Sequence, residues 1–508
     1  MGNVLKFLLF KKGHYKYLII WFMIIIFAFN MKMYFRETEL NSITKRITET
    51  RDIDYLYKLP KIEHFHVDKY VLLTNSVALK GHFNYSGHKR SQVLQIDGLS
   101  NFINLAKPVL LPDEKFGGSV KRKDKYFKDE RMVTDVNCRA LIKGDKNELE
   151  KLKNEYTDWF HTRTAIEPKD YINMTGNCTQ FVKQRGYIMH HLTTKEKNFP
   201  IAYSILMYKD VEQTERLLRA IYRPQNVYCI HVDSKSSEKI FRAMSNITSC
   251  FDNVFLTNKR LNILWGRLSV LSAELLCMEE LWNKSITWKY FINLTGQEFP
   301  LRTNYELVRI LQSYNGANDV EATIERANRY RWTWAGSPPH NTTAVKGSVH
   351  VAVQRGFVDY VLHDERAKGI LKWAKRTFVP DETFFATLNH NPILNVPGSY
   401  RGLPETTMWN DSIKPFMARF KNWGGKLTNW PCKGKRVHGI CVFGIADLPL
   451  LASRGEMFAN KFHLEYEPRT LDCLEELLYN NSREEYRGNL GFDVRWYSQL
   501  GFVKNKIN

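Results

Sequence analysis

From about residue 131 onward the chain alternates short apolar runs with stretches that repeat at helical spacing. Residues 202–207 are a β-rich apolar run. Val211, Leu217, Leu218, Ile221 and Tyr222 then recur at the period of an amphipathic helix, with Arg216 and Arg219 on the other face, and Pro224 ends it. Residues 226–232 read as a second strand, which ends at Asp233. A strand, a helix and a strand within about 30 residues make a βαβ unit, which predicts a parallel sheet covered by helices. Residues 253–256, 290–294 and 349–353 are further strand-like runs, and 268–282 a further helix. The fold class is therefore α/β. In open α/β sheets ligands sit beyond the carboxyl ends of the strands, which points at Asp233 and at the turn Gly296, Gln297, Glu298.

The N-terminal pattern is different. Residues 17–31 are all uncharged, and Leu18 through Phe27 contains no helix breaker. As a helix this run measures about 22 Å, short of the roughly 30 Å hydrocarbon core. Lys16 and Lys32 bracket it and reach toward the head groups, which extends its usable length. A cleaved signal peptide would end in small residues, whereas this run leads into Phe29, Asn30, Met31 and Lys32. Lys6, Lys11, Lys12 and Lys16 precede it with no acid, while Lys32 and Arg36 after it are offset by Glu37 and Glu39, so the N-terminus belongs in the cytoplasm. The expected organisation is a cytoplasmic tail at 1–16, a transmembrane signal-anchor at 17–33, a luminal stem at 34–130 and a folded domain at 131–508. A short span suits the thinner membranes of the early secretory pathway and points to the Golgi. Gly2 carries no myristoylation signal, because Lys6 stands where Ser or Thr is required.

Composition adds compartment and excludes one class of partner. At 508 residues, 44% hydrophobic and 13% aromatic, the chain can bury one core of about 350 residues and leave a tail and a linker. All eight cysteines follow the apolar segment, form an even set and include no CxxC, which favours a disulfide framework over zinc or redox chemistry. Glycosylation sequons at Asn84, Asn173, Asn177, Asn246, Asn283, Asn341, Asn410 and Asn480 fit a luminal protein; a further one at Asn293 sits in an apolar run and is expected to be buried. The net charge of +21 is spread along the chain with no nucleic-acid motif, and the lumen holds no such ligand. Clusters such as Lys121, Arg122, Lys123 and Lys125 read as solvated linker.

Two groups carry candidate chemistry. Pro380, Asp381 and Glu382 precede the helical pattern Phe384, Phe385, Leu388, so the carboxylates are expected in a first helical turn. They are either a helix start, stabilising the macrodipole, or a base that strips a proton from an attacking hydroxyl. Arg436 and His438 before the strand-like 440–443, with Lys461 further on, are either surface charge or the cations a diphosphate leaving group needs. A metal-holding D-x-D pair occurs only at Asp52, Ile53, Asp54, in the stem. That favours side-chain cations over a metal, with a split carboxylate site left open.

Longer blocks carry a resemblance. DYINMT from Asp170, FPIAYS from Phe199, LLRAIYRPQNVYCIHVD from Leu217, CFDNVF from Cys250, WKYFINLTGQEFPLRTN from Trp288, PDETFFATL from Pro380 and MFANKF from Met457 together resemble the core-2/I-branching β-1,6-N-acetylglucosaminyltransferases. That is glycosyltransferase family 14, which also includes the peptide O-xylosyltransferases. The resemblance implies a GT-A, Rossmann-like catalytic domain, UDP-GlcNAc as donor and the Gal or GalNAc of glycoprotein O-glycans as acceptor. It also implies inversion at the anomeric carbon and no divalent metal or other cofactor. By motif match Glu382 resembles the catalytic base, Lys461 the phosphate clamp, Asp233 the uridine-contacting carboxylate, Glu321 an acceptor-binding acid and Trp423 an acceptor-side aromatic. It further implies disulfides Cys138–Cys473, Cys178–Cys250, Cys229–Cys277 and Cys432–Cys441. Three features depart from the family pattern. His438 stands where an arginine on the phosphates is expected, with Arg436 two residues earlier on what would be the same strand face. Gly425 replaces an acceptor-binding tyrosine, and 322–331 aligns poorly with the acceptor-binding Lys and Arg region. The alternatives are therefore another UDP-sugar, glucose or xylose, or a catalytically weak glycan-binding relative.

Overall fold

The computed structural model describes residues 126–127, 130–152, 154, 164–405, 415–424 and 430–508. The expected tail, the segment 17–33 and nearly all of the stem lie outside them. Among the described residues no helix is long and apolar enough to cross a membrane.

Short helices, among them α1 (Cys138–Lys143), α2 (Pro168–Met174) and α3 (Cys178–Arg185), precede the central sheet. The βαβ unit follows as β1 (Ile201–Met207), α4 (Val211–Ile221) and β2 (Val227–Val232). Next come α5 (Glu238–Thr248), β3 (Val254–Leu256), α6 (Leu268–Lys284) and β4 (Tyr290–Thr295). After these the chain forms β5 (Glu298–Pro300), α7 (Asn304–Tyr314), β6 (Asp319–Val320) and β7 (Val351–Gln354). Helices α8 (Arg355–His363) and α9 (Glu365–Ala374), a 3₁₀ turn at Pro380–Glu382 and α10 (Phe384–Asn389) follow. The last part contributes β8 (Phe420–Lys421), the hairpin β9 (Lys435–Val437) and β10 (Ile440–Val442), β11 (Phe458–Asn460) and the long helix α11 (Pro468–Arg487).

The central sheet has the order β3-β2-β1-β4-β7-β6. Its first four strands are parallel, with Ile205 opposite Ile230 in β2 and Leu294 in β4. β7 runs antiparallel to β4, and β6 to β7, an addition that the parallel expectation does not include. β1, β2 and β4 are apolar almost without alternation because both faces are covered. Tyr203, Ile205, Tyr228 and Ile230 pack toward α4 and α5, while Ala202, Cys229 and Phe291 pack toward α6, α8 and α9. A smaller sheet, β5-β11-β8, carries the third cluster of the core.

Helix α4 starts where the Asp210 side chain accepts from the Gln213 amide, and its apolar stripe faces the sheet. On the opposite stripe Arg216 is buried too and Arg219 partly so. α11 covers them, and Glu475 accepts from Arg216 Nε at 2.6 Å and from Arg219 Nη2 at 3.1 Å. Phe127, within the expected stem, is buried against Tyr479 and Tyr486 of α11, so the folded unit reaches back past residue 130.

Three implied disulfides are formed: Cys138–Cys473, Cys178–Cys250 and Cys432–Cys441. The fourth is corrected. Cys229 and Cys277 are buried neighbours across β2 and α6, but their sulfurs stand 2.8 Å apart as free thiols, well beyond the roughly 2.05 Å of a disulfide bond. Among the sequons Asn173, Asn177, Asn283 and Asn341 are exposed and Asn246 is partly so. Asn480 is not presented: its amide donates to Arg131 O at 2.9 Å and accepts from Arg131 N at 2.9 Å. Asn293 is buried as expected, bonded to Val349 O and Val351 N. Asn84 and Asn410 lie outside the described residues.

Candidate functional site

The carboxyl edge of the sheet forms the floor. β1 connects through α4 to β2 on one side while β4 lies on its other side, so the strand order switches direction at β1 and opens a crevice there. Asp233 N donates to Met207 O and Gly296 N to Leu206 O, both at 2.9 Å, which draws the ends of β2 and β4 against the end of β1. Asp233 is buried, and Lys235 holds it with its amide on Oδ1 and its ammonium on Oδ2, each at 2.8 Å. Burial raises the Asp233 carboxyl, but the bonds from Lys235 outweigh it and leave the group below its usual range.

Glu298, in the turn that strand order had singled out, does not face the crevice. It lies in β5, wholly buried, and accepts from Arg419 Nε at 2.7 Å. Burial pushes its carboxyl up and Arg419 brings it down to about 2, so it is an ion pair of the interior. Pairing of β5 with β11 turns the residue inward, a contact invisible in the local pattern.

The carboxylates 381 and 382 form their own 3₁₀ turn rather than the first turn of α10, because Val379 before them takes a left-handed conformation with φ 53°. Val379 N donates to Gly266 O at 3.1 Å, and Gly347 N to Glu382 O at 2.6 Å. The Glu382 side chain is partly exposed. Its Oε2 accepts from Arg331 Nη1 at 2.6 Å, with Lys346 Nζ at 3.9 Å. Asp381 is the reverse: it is buried and its Oδ1 has no hydrogen-bond partner. Burial and then the charge of Glu382 raise its carboxyl to about 7.

Glu321 follows β6 and accepts from Lys421 Nζ at 2.8 Å; the same ammonium donates to Ser348 Oγ at 2.8 Å. Burial raises the Glu321 carboxyl, and Lys421 and Lys346 together bring it down to about 2. Lys346 thus acts on Glu321 and Glu382 alike. Between them sits Gly347, where a Cβ would collide with Glu321 O and Ala386 Cβ, so only glycine lets the two strands of chain meet. Trp423 lies two residues beyond Lys421 and is 58% exposed, its ring edge against Gly439. Gly425 lies outside the described residues.

Lys461 is partly buried beyond β11 and makes no ion pair among the described residues. Its segment is pinned from three directions. Gln213 in α4 donates to Phe462 O at 2.9 Å and accepts from Leu464 N at 2.8 Å. Phe462 N reaches Gln297 O at 2.8 Å, and Phe443 N reaches Lys461 O at 3.0 Å. Arg436 and His438 do not share a strand face: β9 ends at Val437, and His438 sits in the hairpin turn with φ 51°. The Arg436 guanidinium is engaged by Gly439 O at 2.9 Å and Asn422 O at 3.2 Å.

Sequence reasoning missed Arg331 and Lys346, the cations on Glu382 and Glu321. Arg331 falls in the poorly aligning 322–331 segment, and neither residue has a periodic or motif signal. Among the described residues no three His, Cys, Asp or Glu side chains come together as a metal site.

The Core-2/I-Branching enzyme family profile matches residues 201–451. The chain is 38% identical over 379 residues to the human beta-1,3-galactosyl-O-glycosyl-glycoprotein beta-1,6-N-acetylglucosaminyltransferase, covering 70% of this chain and 87% of that protein. It is 33% identical over 362 residues to the rat beta-1,3-galactosyl-O-glycosyl-glycoprotein beta-1,6-N-acetylglucosaminyltransferase 3, covering 68% and 82%. A mouse N-acetyllactosaminide beta-1,6-N-acetylglucosaminyl-transferase is 36% identical over 404 residues, covering 75% and 93%. By these matches the chain belongs to the Core-2/I-branching enzyme family.

Proposed function

We propose that the protein is an inverting glycosyltransferase of GT-A type that moves GlcNAc from UDP-GlcNAc, in β-1,6 linkage, to Gal or GalNAc of glycoprotein O-glycans. The observation that carries this reading is the Glu382 carboxylate, partly exposed and joined through Lys346 to Glu321, in a fold that also sets Lys461 beyond β11 with no ion pair among the described residues. Arg331 engages Oε2 of Glu382, which leaves Oε1 for an acceptor hydroxyl. In the step proposed, Glu382 takes the proton of the acceptor 6-hydroxyl as its oxygen bonds to the anomeric carbon of GlcNAc. The bond from that carbon to the diphosphate oxygen breaks, and UDP leaves with the electron pair. Lys461 neutralises the charge that develops, a fixed cation in the role a divalent metal plays elsewhere. Asp233 receives the uridine and Trp423 the apolar face of an acceptor sugar.

Residues 17–33 are proposed as a signal-anchor in the Golgi membrane, with the catalytic domain in the lumen. The three disulfides support an oxidising compartment.

The test is an assay of the full-length protein in detergent, with UDP-GlcNAc, UDP-glucose or UDP-xylose and a Galβ1,3GalNAc acceptor, with and without EDTA. Transfer of GlcNAc unaffected by EDTA is expected, and Glu382→Gln is expected to lower kcat by about 10²–10⁴. Transfer of a different sugar would revise the donor, inhibition by EDTA would end the metal-free mechanism, and no transfer from any donor would overturn the reading.

A further inference from the structure

Lys461 has company that neither the motifs nor the mechanism above uses. Lys209 lies two residues past the carboxyl end of β1, where its ammonium meets Glu465 Oε1 at 3.0 Å. Lys435, in β9, places its ammonium over the Tyr466 ring, 4.3 Å from the centroid. His463 sits among them with Nε2 buried and no hydrogen-bond partner. The loop that carries Lys461 and His463 is the one Gln213 clamps from the first turn of α4, so the end of β1 and this loop are held as one surface.

Electrostatics agree with this crowding. Burial lowers the Lys461 ammonium, and the charge of Lys209 lowers it further. Burial first, then Lys461 and Lys209, bring His463 down to about 4, with Lys435 adding to them and Glu465 opposing. His463 is therefore neutral near pH 7, and the exposed Glu465 meets the charge of both Lys209 and Lys435, with Asp210 also acting on Lys209. Three lysines gathered around one exposed glutamate and Asp210, beside an imidazole whose buried Nε2 has no partner, at the carboxyl edge of a parallel sheet, form a site short of negative charge.

We propose that Lys209 and Lys435 join Lys461 in binding the donor diphosphate, and that Glu465 holds Lys209 in place of an anion until the donor arrives. The proposal rests on the UDP-sugar reading and deepens it. The diphosphate carries two negative charges in the donor and develops a further one as UDP leaves. Three fixed lysines meet that charge as point cations, without the fork geometry that an arginine would bring. The arrangement also accounts for a phosphate site in which Arg436 is spent on backbone carbonyls.

Titration calorimetry of UDP and of uridine in EDTA, on full-length wild type and on Lys209→Ala and Lys435→Ala, tests it. Each variant is expected to bind UDP about three- to tenfold more weakly, with a shallower salt dependence, and uridine as well as wild type does. Uridine binding shows that the site is folded, and Lys209→Arg is expected to restore most of the UDP affinity. Glu465→Gln is expected to tighten UDP severalfold, since Lys209 is then free; weaker binding would overturn the holding role. Wild type that binds UDP no better than uridine overturns the donor reading and this inference together. Wild type that prefers UDP, with variants that match it, overturns this inference alone.

Discussion

At Asp381 a carboxyl oxygen is buried without a partner beside the ionised Glu382, and its affinity for a proton rises to about 7. The unfolded chain releases that proton near pH 4, so between pH 4 and 7 the unfolded state gains charge that the folded state resists, and stability falls as pH rises. Above pH 7 the cost is fully present. Asp381→Asn is therefore expected to raise the melting temperature relative to wild type at pH 8, with the difference closing toward pH 4, as read by scanning calorimetry across pH. Adjacent residues of one motif thus take opposite environments, one buried and one partly exposed. The sequence names both carboxylates, but which of them stays partly exposed depends on the left-handed Val379 and on where Arg331 lands. Arg331 lies 51 positions away from Glu382.

Among the elements, two contacts position the chemistry. Arg419, next to β8, ties β5 through Glu298 and the end of β4 through Asn293 O, and it is wholly buried. Arg419→Leu would leave the buried Glu298 charge with only His350 and Asn460 beside it and is expected to destabilise the protein by about 3–5 kcal/mol, measured by denaturant unfolding. Adding Glu298→Gln to that variant should recover part of the loss. Gln213 on α4 holds both sides of the Lys461 loop. Gln213→Ala removes a buried donor and a buried acceptor at once, and is expected to weaken UDP binding about tenfold while uridine binding holds. α4 itself was legible from its apolar spacing, and so were β1 and β2. The covered second face of α4 was not, since Arg216 and Arg219 read as solvent-facing until α11 supplies Glu475 and Asp472.

For the whole molecule the longest-range disulfide among the described residues joins the first short helix to the last long one. Cys138 in α1 bonds Cys473 in α11, 335 positions apart. Beside it Arg131 Nη2 pairs with Glu475 at 2.5 Å and Val133 N donates to Glu476 at 2.7 Å. Burial raises the Glu475 carboxyl, but Arg216, Arg219 and Arg131 overcome it and hold the group far below its usual range. Replacing Cys138 and Cys473 by serine is expected to cost about 2–5 kcal/mol, read as a lower denaturant midpoint. An unchanged midpoint would show that the ionic ties around Glu475 suffice.

What could be read along the chain was whatever repeats or is contiguous. The βαβ unit, the helix that became α6, the apolar segment 17–31, the carboxylate pair at 381 and 382 and the even set of cysteines each declare themselves through spacing or neighbours. The partners of those residues could not be read in that way. Lys346 between two carboxylates, Lys421 on Glu321, Lys209 and Lys435 around Lys461, and the inward turn of Glu298 all join loops or strands of two or three residues, too short to show a period. A charged residue on a loop shows its chemistry in the sequence, but its exposure and countercharge arise only when the sheet brings distant loops to one edge.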